Sequence, residues 1–206
     1  MMIQDKRIHS IITQMLTVLP ALQKSSHRNY SGVCSVKQGT AVITDGLALL
    51  MFKNQNIVLP EGKEELILDK DNYPVEGFSF PKYTGCIPDT APIKIIEGKE
   101  KLHFFEALCR IKPTKEKIEP CLSFENNRLV YSNERGDMDH YSNFLHVYPH
   151  RAFPFMKAMK NDWELRSYPL TKISLYESGC MIAQFGFSEE NCFQLLLVGV
   201  QEVTKK

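Results

Sequence analysis

The sequence predicts an α+β protein in which antiparallel strands carry helices on one side. Three observations predict this class. A single helical stripe opens the chain, short strand-like segments separated by turn residues follow it, and the same order returns at greater length beyond a proline-containing segment. The 206 residues suffice for one or two domains with a buried core.

The composition is that of an ordinary globular protein. Hydrophobic residues make up 43% of the chain and charged residues 24%, which argues against disorder, collagen and coiled coil. The formal net charge is +1, so the whole molecule has no strong attraction to nucleic acid or anionic lipid. Any such contact requires a local basic face.

Targeting and redox signals favour a soluble cytoplasmic protein. The polar start of the chain is not followed by an apolar signal core, and no apolar run approaches the roughly 18 residues of a membrane span. The six cysteines form no CxxC pair and have no companion CxxH or HxxxH grouping, which argues against a zinc site. We therefore expect reduced, buried thiols, no metal, no cofactor and no membrane association.

The first 79 residues predict one helix and part of a sheet. Apolar residues at three- and four-residue spacing predict a helix over residues 7–22, and Pro20 is expected to end or kink it. Strand-like segments separated by turn residues follow, with Gly39 and Gly46 in two tight turns. The predicted strands are residues 31–36, 40–44, 47–52 and 65–68.

The longer second part repeats this order of predicted elements, although the two parts are not similar in amino-acid sequence. Helical spacing of apolar residues predicts helices over residues 102–111 and 150–159. The predicted strands are residues 92–96, 121–124, 128–132, 139–147, 170–175, 180–185 and 193–200.

The two parts meet at segment 80–88, Phe-Pro-Lys-Tyr-Thr-Gly-Cys-Ile-Pro. Pro81 and Pro88 each fix one backbone angle and push the preceding residue toward extended conformations. We therefore expect a stiff, non-helical joint that holds two units at a set angle.

Four short motifs occur in the same order as in a known family. Segment 80–88 is similar to F-P-D-Y-x-x-V-I-P, and segment 42–46, Val-Ile-Thr-Asp-Gly, is similar to the start of A-T-D-G-H-R-L. Segment 148–159 resembles a helix of the Y-L-x-x-A-L-K-A type, and segment 195–201 stands in the place of a final strand and an M-P-M-R tail. Together they resemble the bacterial DNA sliding clamp, the beta subunit of DNA polymerase III.

The resemblance implies clamp-like repeats of a helix plus antiparallel strands, with sheets outside and helices on one face. Residues 80–206 would form a complete clamp domain, and residues 1–79 a shortened one without its second helix. The chain departs from the family at Leu47 and Ala48, which replace histidine and arginine, at Gly85, which replaces arginine, and at Gly199, which replaces proline. A clamp shortened in this way would be consistent with a protein encoded by a phage or a mobile element.

The resemblance also implies that the helices face DNA, which requires a basic inner face without base readout. Basic residues gather on the predicted helices, whereas acidic residues lie nearer the strands and loops. The DNA-facing residues would be Lys6, Arg7, Lys101, Arg110, Lys112, Lys115, Lys117, Arg151, Lys157 and Lys160. The alternative is that each of them only solvates an exposed helix face.

A second implied site is an apolar pocket that accepts short peptides from a polymerase or clamp loader. By position it would be formed by Tyr30, Thr44, Gly46, Leu47, Leu49, Pro81, Cys86, Leu196, Val198 and Val200. Burying each peptide side chain there would contribute about 1.5–3 kcal/mol. The alternative is that these residues form an interdomain core, since a joint buries apolar surface whether or not a peptide binds.

Catalytic sites have weaker support in the sequence. Asp45, and Asp137 and Asp139 with His140, are of types that act as acids, bases or metal ligands. Both patterns are more typical of turns, in which aspartate and glycine satisfy the backbone. The chain has neither a Gly-rich phosphate loop nor a G-x-S-x-G elbow. We expect no enzyme activity and keep an unrelated α+β enzyme as a third hypothesis.

Two functions follow from the resemblance. The first is a sliding clamp or processivity factor that holds double-stranded DNA non-specifically in a ring and tethers a polymerase through the pocket. A family ring has six domain equivalents, so three chains of two domains each would close it. A chain with one complete domain and part of a second does not give a whole number of chains per ring so simply. The alternative, motivated by the shortened first domain and near-neutral charge, is a clamp-derived adaptor or inhibitor of replication proteins that does not encircle DNA.

Overall fold

The computed structural model describes residues 5–23, 32–44, 48–69, 71–103, 121–125, 128–132 and 167–197. Within these ranges, helix α1 spans Lys6–Gln23, a short 3-10 helix spans Thr84–Cys86, and residues 98–103 are helical. The strands are β1 Val33–Lys37, β2 Thr40–Thr44, β3 Ala48–Asn54, β4 Glu65–Asp69, β5 Lys94–Ile96, β6 Cys121–Glu125, β7 Arg128–Ser132, β8 Leu170–Leu175, β9 Met181–Ser188 and β10 Asn191–Leu197.

Eight strands form one antiparallel sheet in the order β4-β1-β2-β3-β10-β9-β8-β5. Strands β6 and β7 pair separately as a hairpin. The two parts of the chain meet where β3 pairs with β10, from Asn54 opposite Asn191 to Ala48 opposite Leu197. The sheet is therefore continuous across the predicted joint, and the division at residues 79 and 80 stays a prediction.

One face of the sheet packs against helix α1. Between residues 5 and 16, where the side chains are described, the buried ones are Ile8, Ile11, Ile12, Met15 and Leu16, and they share one core cluster with the inward residues of the strands. Asp5 begins the helix as its N-cap, because its Oδ1 atom accepts hydrogen bonds from the Arg7 and Ile8 amides at 2.8 and 3.3 Å. The helix therefore lies on one side of the sheet, as predicted.

Aromatic rings fill this core where β3 and β10 join. Phe52 and Phe193 stack with centroids 4.6 Å apart, and Tyr168 meets Phe193 edge-on at 4.8 Å. At the end of the same strand pair, Asn54 donates from Nδ2 to the Asn191 Oδ1 atom at 3.1 Å. Packing and hydrogen bonding thus both connect the two parts of the chain.

The structure agrees with most predicted elements that fall in its described residues. Each predicted strand from residue 31 to 96 is present within two residues at either end, and residues 170–175 form β8 as predicted. The antiparallel sheet with few helices agrees with the predicted α+β class, while the repeat of helix plus strands stays a prediction. The predicted strand 139–147 and helix 150–159 lie outside the described residues.

Three local predictions need correction. Helix α1 does not end at Pro20 but continues to Gln23, and the kink expected as the other effect of this proline stays a prediction. Segment 80–88 is not wholly non-helical, since Thr84–Cys86 forms one 3-10 turn between its prolines. The helix predicted over residues 102–111 is already helical from residue 98.

The thiols are also not all buried. Cys34, Cys180 and Cys192 are buried and free. Cys86 is free and exposed, because it lies in the 3-10 turn of segment 80–88, the connector, rather than on a packed strand face. Cys109 and the Cys121 side chain lie outside the described residues. In the part of the chain that the structure describes, no helix is long and apolar enough to cross a membrane.

Candidate functional site

A row of side chains crosses the sheet on the face opposite helix α1. Thr44 pairs with Leu49, Leu49 with Leu196, Leu196 with Ile182, and Ile182 with Ser174. Strands β2 and β3 come from the first part of the chain, and β8, β9 and β10 from the second. Three predicted pocket residues, Thr44, Leu49 and Leu196, are therefore neighbours in this outer row although up to 152 positions separate them in sequence.

The middle of the outer row is covered. Leu49 and Leu196 are 4% and 2% exposed. They belong to a second apolar cluster that includes Phe80, with Tyr83 and Ile87 packed against it from the connector. The connector therefore lies over the outer face of the sheet and is held there by apolar burial.

The neighbouring row on the same face is more polar toward β8. Met51 pairs with Gln194, Gln194 with Gln184, and Gln184 with Lys172. Gln194 donates from Nε2 to the Gln184 Oε1 atom at 3.4 Å. The apolar area of the outer face therefore extends over both rows at β3 and narrows to the first row toward β8.

Thr44 is held by a hydrogen bond to the first residue of β3. Its Oγ1 atom donates to the Ala48 carbonyl at 2.8 Å, which ties the end of β2 to the start of β3. The side chain is buried, so its hydroxyl serves the local backbone.

Pro81 and Cys86 lie at the edge of the covered area. Pro81 is half-buried and Cys86 is exposed. The remaining predicted pocket residues, Tyr30, Gly46, Leu47, Val198 and Val200, lie outside the described residues.

An open cavity of about 480 Å³ adjoins this edge. Residues 84–90, from the connector and the two residues after it, form one wall, and Glu177 and Ser178 of the β8–β9 turn form the other. Backbone hydrogen bonds fix both walls: the Cys86 amide donates to the Tyr83 carbonyl at 2.9 Å, and the Gly179 amide donates to the Tyr176 carbonyl at 3.0 Å. The cavity is therefore bounded by two constrained turns.

Burial changes the acidity of two groups beside the cavity. It raises the pKa of the Cys180 thiol to about 12, and the neighbouring Cys86 adds to this. Burial also raises the pKa of the Tyr83 hydroxyl, with Glu65 and then Cys34 as smaller causes. At neutral pH both groups stay protonated, so they pack as neutral side chains and do not act as bases.

The predicted DNA-facing residues divide into two groups. Lys6 and Arg7 are exposed in the first turn of α1, next to the Asp5 carboxylate. Lys101 is partly buried, and its Nζ atom donates to the Thr171 carbonyl of β8 at 3.0 Å. The others, Arg110, Lys112, Lys115, Lys117, Arg151, Lys157 and Lys160, lie outside the described residues.

The structure adds site residues that the sequence did not indicate. Ile182 completes the outer row, Phe80 and Tyr83 cover it, and Glu177 and Asp89 line the cavity. Phe80 and Tyr83 stand in the motif of the predicted joint, so the motif itself was an available signal. No sequence signal indicated Glu177, because only the pairing of β8 with β9 brings its turn toward the connector.

Solved structures with a similar fold are bacterial sliding clamps. The DNA polymerase III beta subunit of Pseudomonas aeruginosa matches with a TM-score of 0.58 and 14% identity, over 94% of this chain and 65% of that one. The sliding clamp of Bacillus subtilis gives 0.55 and 12%, over 94% and 63%. The beta clamp of C. crescentus gives 0.55 and 13%, over 94% and 64%.

The continuous antiparallel sheet with its helix on one face is thus a sliding-clamp fold. The clamp that it resembles is the beta subunit of bacterial DNA polymerase III, as the sequence motifs predicted. The chain spans slightly less than two thirds of the length of these structures. No family model matches the sequence, and no curated protein matches it.

Proposed function

We propose that this chain is a DNA sliding clamp or clamp-like processivity factor, which tethers a polymerase to DNA and catalyses no reaction. The observation that carries the proposal is the sheet that joins β3 to β10, because it reproduces the clamp fold across both parts of the chain. A processivity factor needs only two contacts, one to DNA and one to the polymerase.

The polymerase contact would lie on the outer face. The predicted pocket residues Thr44, Leu49 and Leu196 lie together there, and Cys86 lines the cavity. Leu49 and Leu196 are covered, so a peptide would bind beside Cys86, in the cavity at the connector. In the C. crescentus clamp, polyethylene glycol is bound at a region assigned to beta-motif tethering.

The DNA contact would be non-specific and would lie on the helix face. Lys6 and Arg7 are exposed at the start of α1, on the opposite side of the sheet from the pocket. Lysine and arginine bind phosphates without reading bases, and they release counterions when they do. A homo-oligomeric ring, a trimer or another closed form, would hold the DNA in the cytoplasm.

Nicked circular DNA distinguishes a ring from a surface binder. The chain is incubated with a nicked plasmid, and the plasmid is separated from free protein by gel filtration before and after linearisation. A ring is expected to stay with the circle and to leave the linear DNA, and light scattering is expected to give a multiple of the 23.7 kDa chain. A stable monomer at micromolar concentration, together with equal loss from both DNA forms, would contradict the ring.

The alternative is a clamp-derived adaptor or inhibitor that binds replication proteins without encircling DNA. One observation favours it: beyond Lys6 and Arg7, the partly exposed residues of the first half of α1 are His9, Ser10, Thr13 and Gln14, which carry no fixed charge. Immobilised chain should then retain a polymerase, clamp loader or clamp from replication-competent extract without DNA. Retention of none of these would contradict the adaptor.

A further inference from the structure

The cavity beside Cys86 is negatively charged. Asp89 and Glu177 line it from opposite walls and are both exposed. Among the residues that the structure describes, no lysine or arginine lines the cavity; Lys82 is on the connector but outside the lining. From the described part of the chain, a bound segment would therefore meet two carboxylates and no compensating cation.

The same cavity has an apolar side. Ile87 and Pro88 line it, and Ile87 packs against the cluster that holds Cys180 and Leu196. An entering apolar side chain would extend this cluster, while the carboxylates at the rim stay in water. The combination suits a segment that carries one apolar and one basic residue close together.

We infer that the cavity selects a peptide segment of its partner in which a lysine or arginine stands beside an apolar side chain. This rests on the proposed function only in that the partner docks on the outer face. Charge complementarity decides the chemistry of the occupant: Asp89 and Glu177 attract a cation and repel an acidic peptide. Asp89 and Glu177 are then specificity-determining residues.

A displayed library of random heptapeptides tests the inference without assuming a motif. The library is selected on the full chain, and on the double variant Asp89→Asn with Glu177→Gln, which keeps shape and removes both charges. The matched control is Glu61→Gln with Glu64→Gln, which removes two exposed charges from the loop between β3 and β4, outside the cavity lining.

Peptides enriched on the wild-type chain are expected to carry a basic residue next to an aliphatic or aromatic one. Synthetic members should bind the cavity variant about threefold to tenfold more weakly, and the control variant as tightly as wild type. The difference should shrink in 0.5 M salt, because exposed charges are screened.

Cys86 reports where the peptide binds. It is the exposed thiol of the cavity, so a bound peptide should slow its alkylation by iodoacetamide, read by mass spectrometry of the peptide that contains it. Three outcomes overturn the inference: enriched peptides without basic residues, equal binding to the cavity variant, or unprotected Cys86. The peptide selection uses no DNA, so it is independent of the plasmid experiment. If the chain fails to stay on nicked circles, the proposed ring is wrong, and the peptide result still tests the cavity.

Discussion

Gly186 lies in β9 opposite Cys192, at an irregularity in the pairing with β10. Its φ is +156°, and a Cβ atom placed there would lie 2.5 Å from the Asn191 carbonyl oxygen. Both the backbone conformation and the close approach of β10 therefore require glycine. We expect Gly186→Ala to lower the free energy of unfolding by about 1–3 kcal/mol, measured by urea denaturation.

Gly85 supplies the control for this substitution. It has no atom within 4 Å of an added Cβ and no positive φ, so Gly85→Ala should leave the free energy of unfolding nearly unchanged. Equal effects of the two substitutions would mean that the close contact at Gly186 does not exist in solution.

The cysteines differ in reactivity because they differ in burial. Burial raises the pKa of Cys34 and of Cys180 to about 12 from an ordinary 9.0, while Cys86 is exposed. Only the thiolate is alkylated, so iodoacetamide at pH 7.5 should modify Cys86 and spare Cys34 and Cys180 until urea unfolds the chain. Mass spectrometry of the modified peptides gives the result, and early modification of Cys34 would contradict the buried core.

The same shifts affect stability in alkaline solution. A raised pKa means that the thiols of the folded chain stay protonated to a higher pH than those of the unfolded chain. The resulting stability is present below pH 9 and is lost as the pH rises toward 12. Cys34→Ala should make this alkaline loss smaller.

Helix α1 depends on its first turn. Asp5 accepts two backbone hydrogen bonds there, and without it the Arg7 and Ile8 amides lose their side-chain partner. We expect Asp5→Ala to lower the free energy of unfolding by about 0.5–2 kcal/mol in thermal or urea denaturation. Asp5→Asn is the control, since its amide oxygen still caps the helix; an equal loss would assign the effect to charge instead of capping.

The strand pair β3 and β10 depends on its aromatic stack. Phe52 is fully buried and touches both Phe193 and Tyr168. We expect Phe52→Ala to cost about 3–5 kcal/mol, because a large cavity would remain between the two parts of the chain. Phe187 is 63% exposed, so Phe187→Ala, measured in the same urea titration, should cost much less. Similar losses would mean that the stack contributes little.

At the scale of the whole molecule, the continuous sheet makes the two parts of the chain interdependent. A fragment of residues 80–206 would expose the edge of β10 and the apolar side chain of Phe193, which stacks on Phe52 in the full chain. We expect this fragment to associate or aggregate in light scattering, because an unpaired apolar edge strand recruits other strands.

The control for the fragment keeps every strand. An engineered protease site in the exposed loop 61–64 allows the full chain to be cut between β3 and β4 without removing either. The cut chain should keep the mass and the single unfolding transition of the intact one. A monomeric, cooperatively folded fragment 80–206 would instead support two independent domains.

The sequence alone determined the local elements and the resemblance to bacterial sliding clamps. The apolar spacing in α1, the strand patterns and the turn residues are local signals, and local hydrogen bonding and side-chain periodicity suffice to produce them. Segments 42–46 and 80–88 carry the resemblance to the clamp. Thr44, Leu49 and Leu196 are adjacent on one face of the sheet, whereas the pocket predicted from them stays a prediction.

Only the tertiary structure decided how distant segments meet. The pairing of β3 with β10 joins residues almost 150 positions apart, and its register follows from packing on both faces, which no local pattern records. That pairing buries Leu49 and Leu196 beneath the connector and leaves Cys86 exposed. The β8–β9 turn, in the same way, brings Glu177 to the connector and makes the cavity acidic.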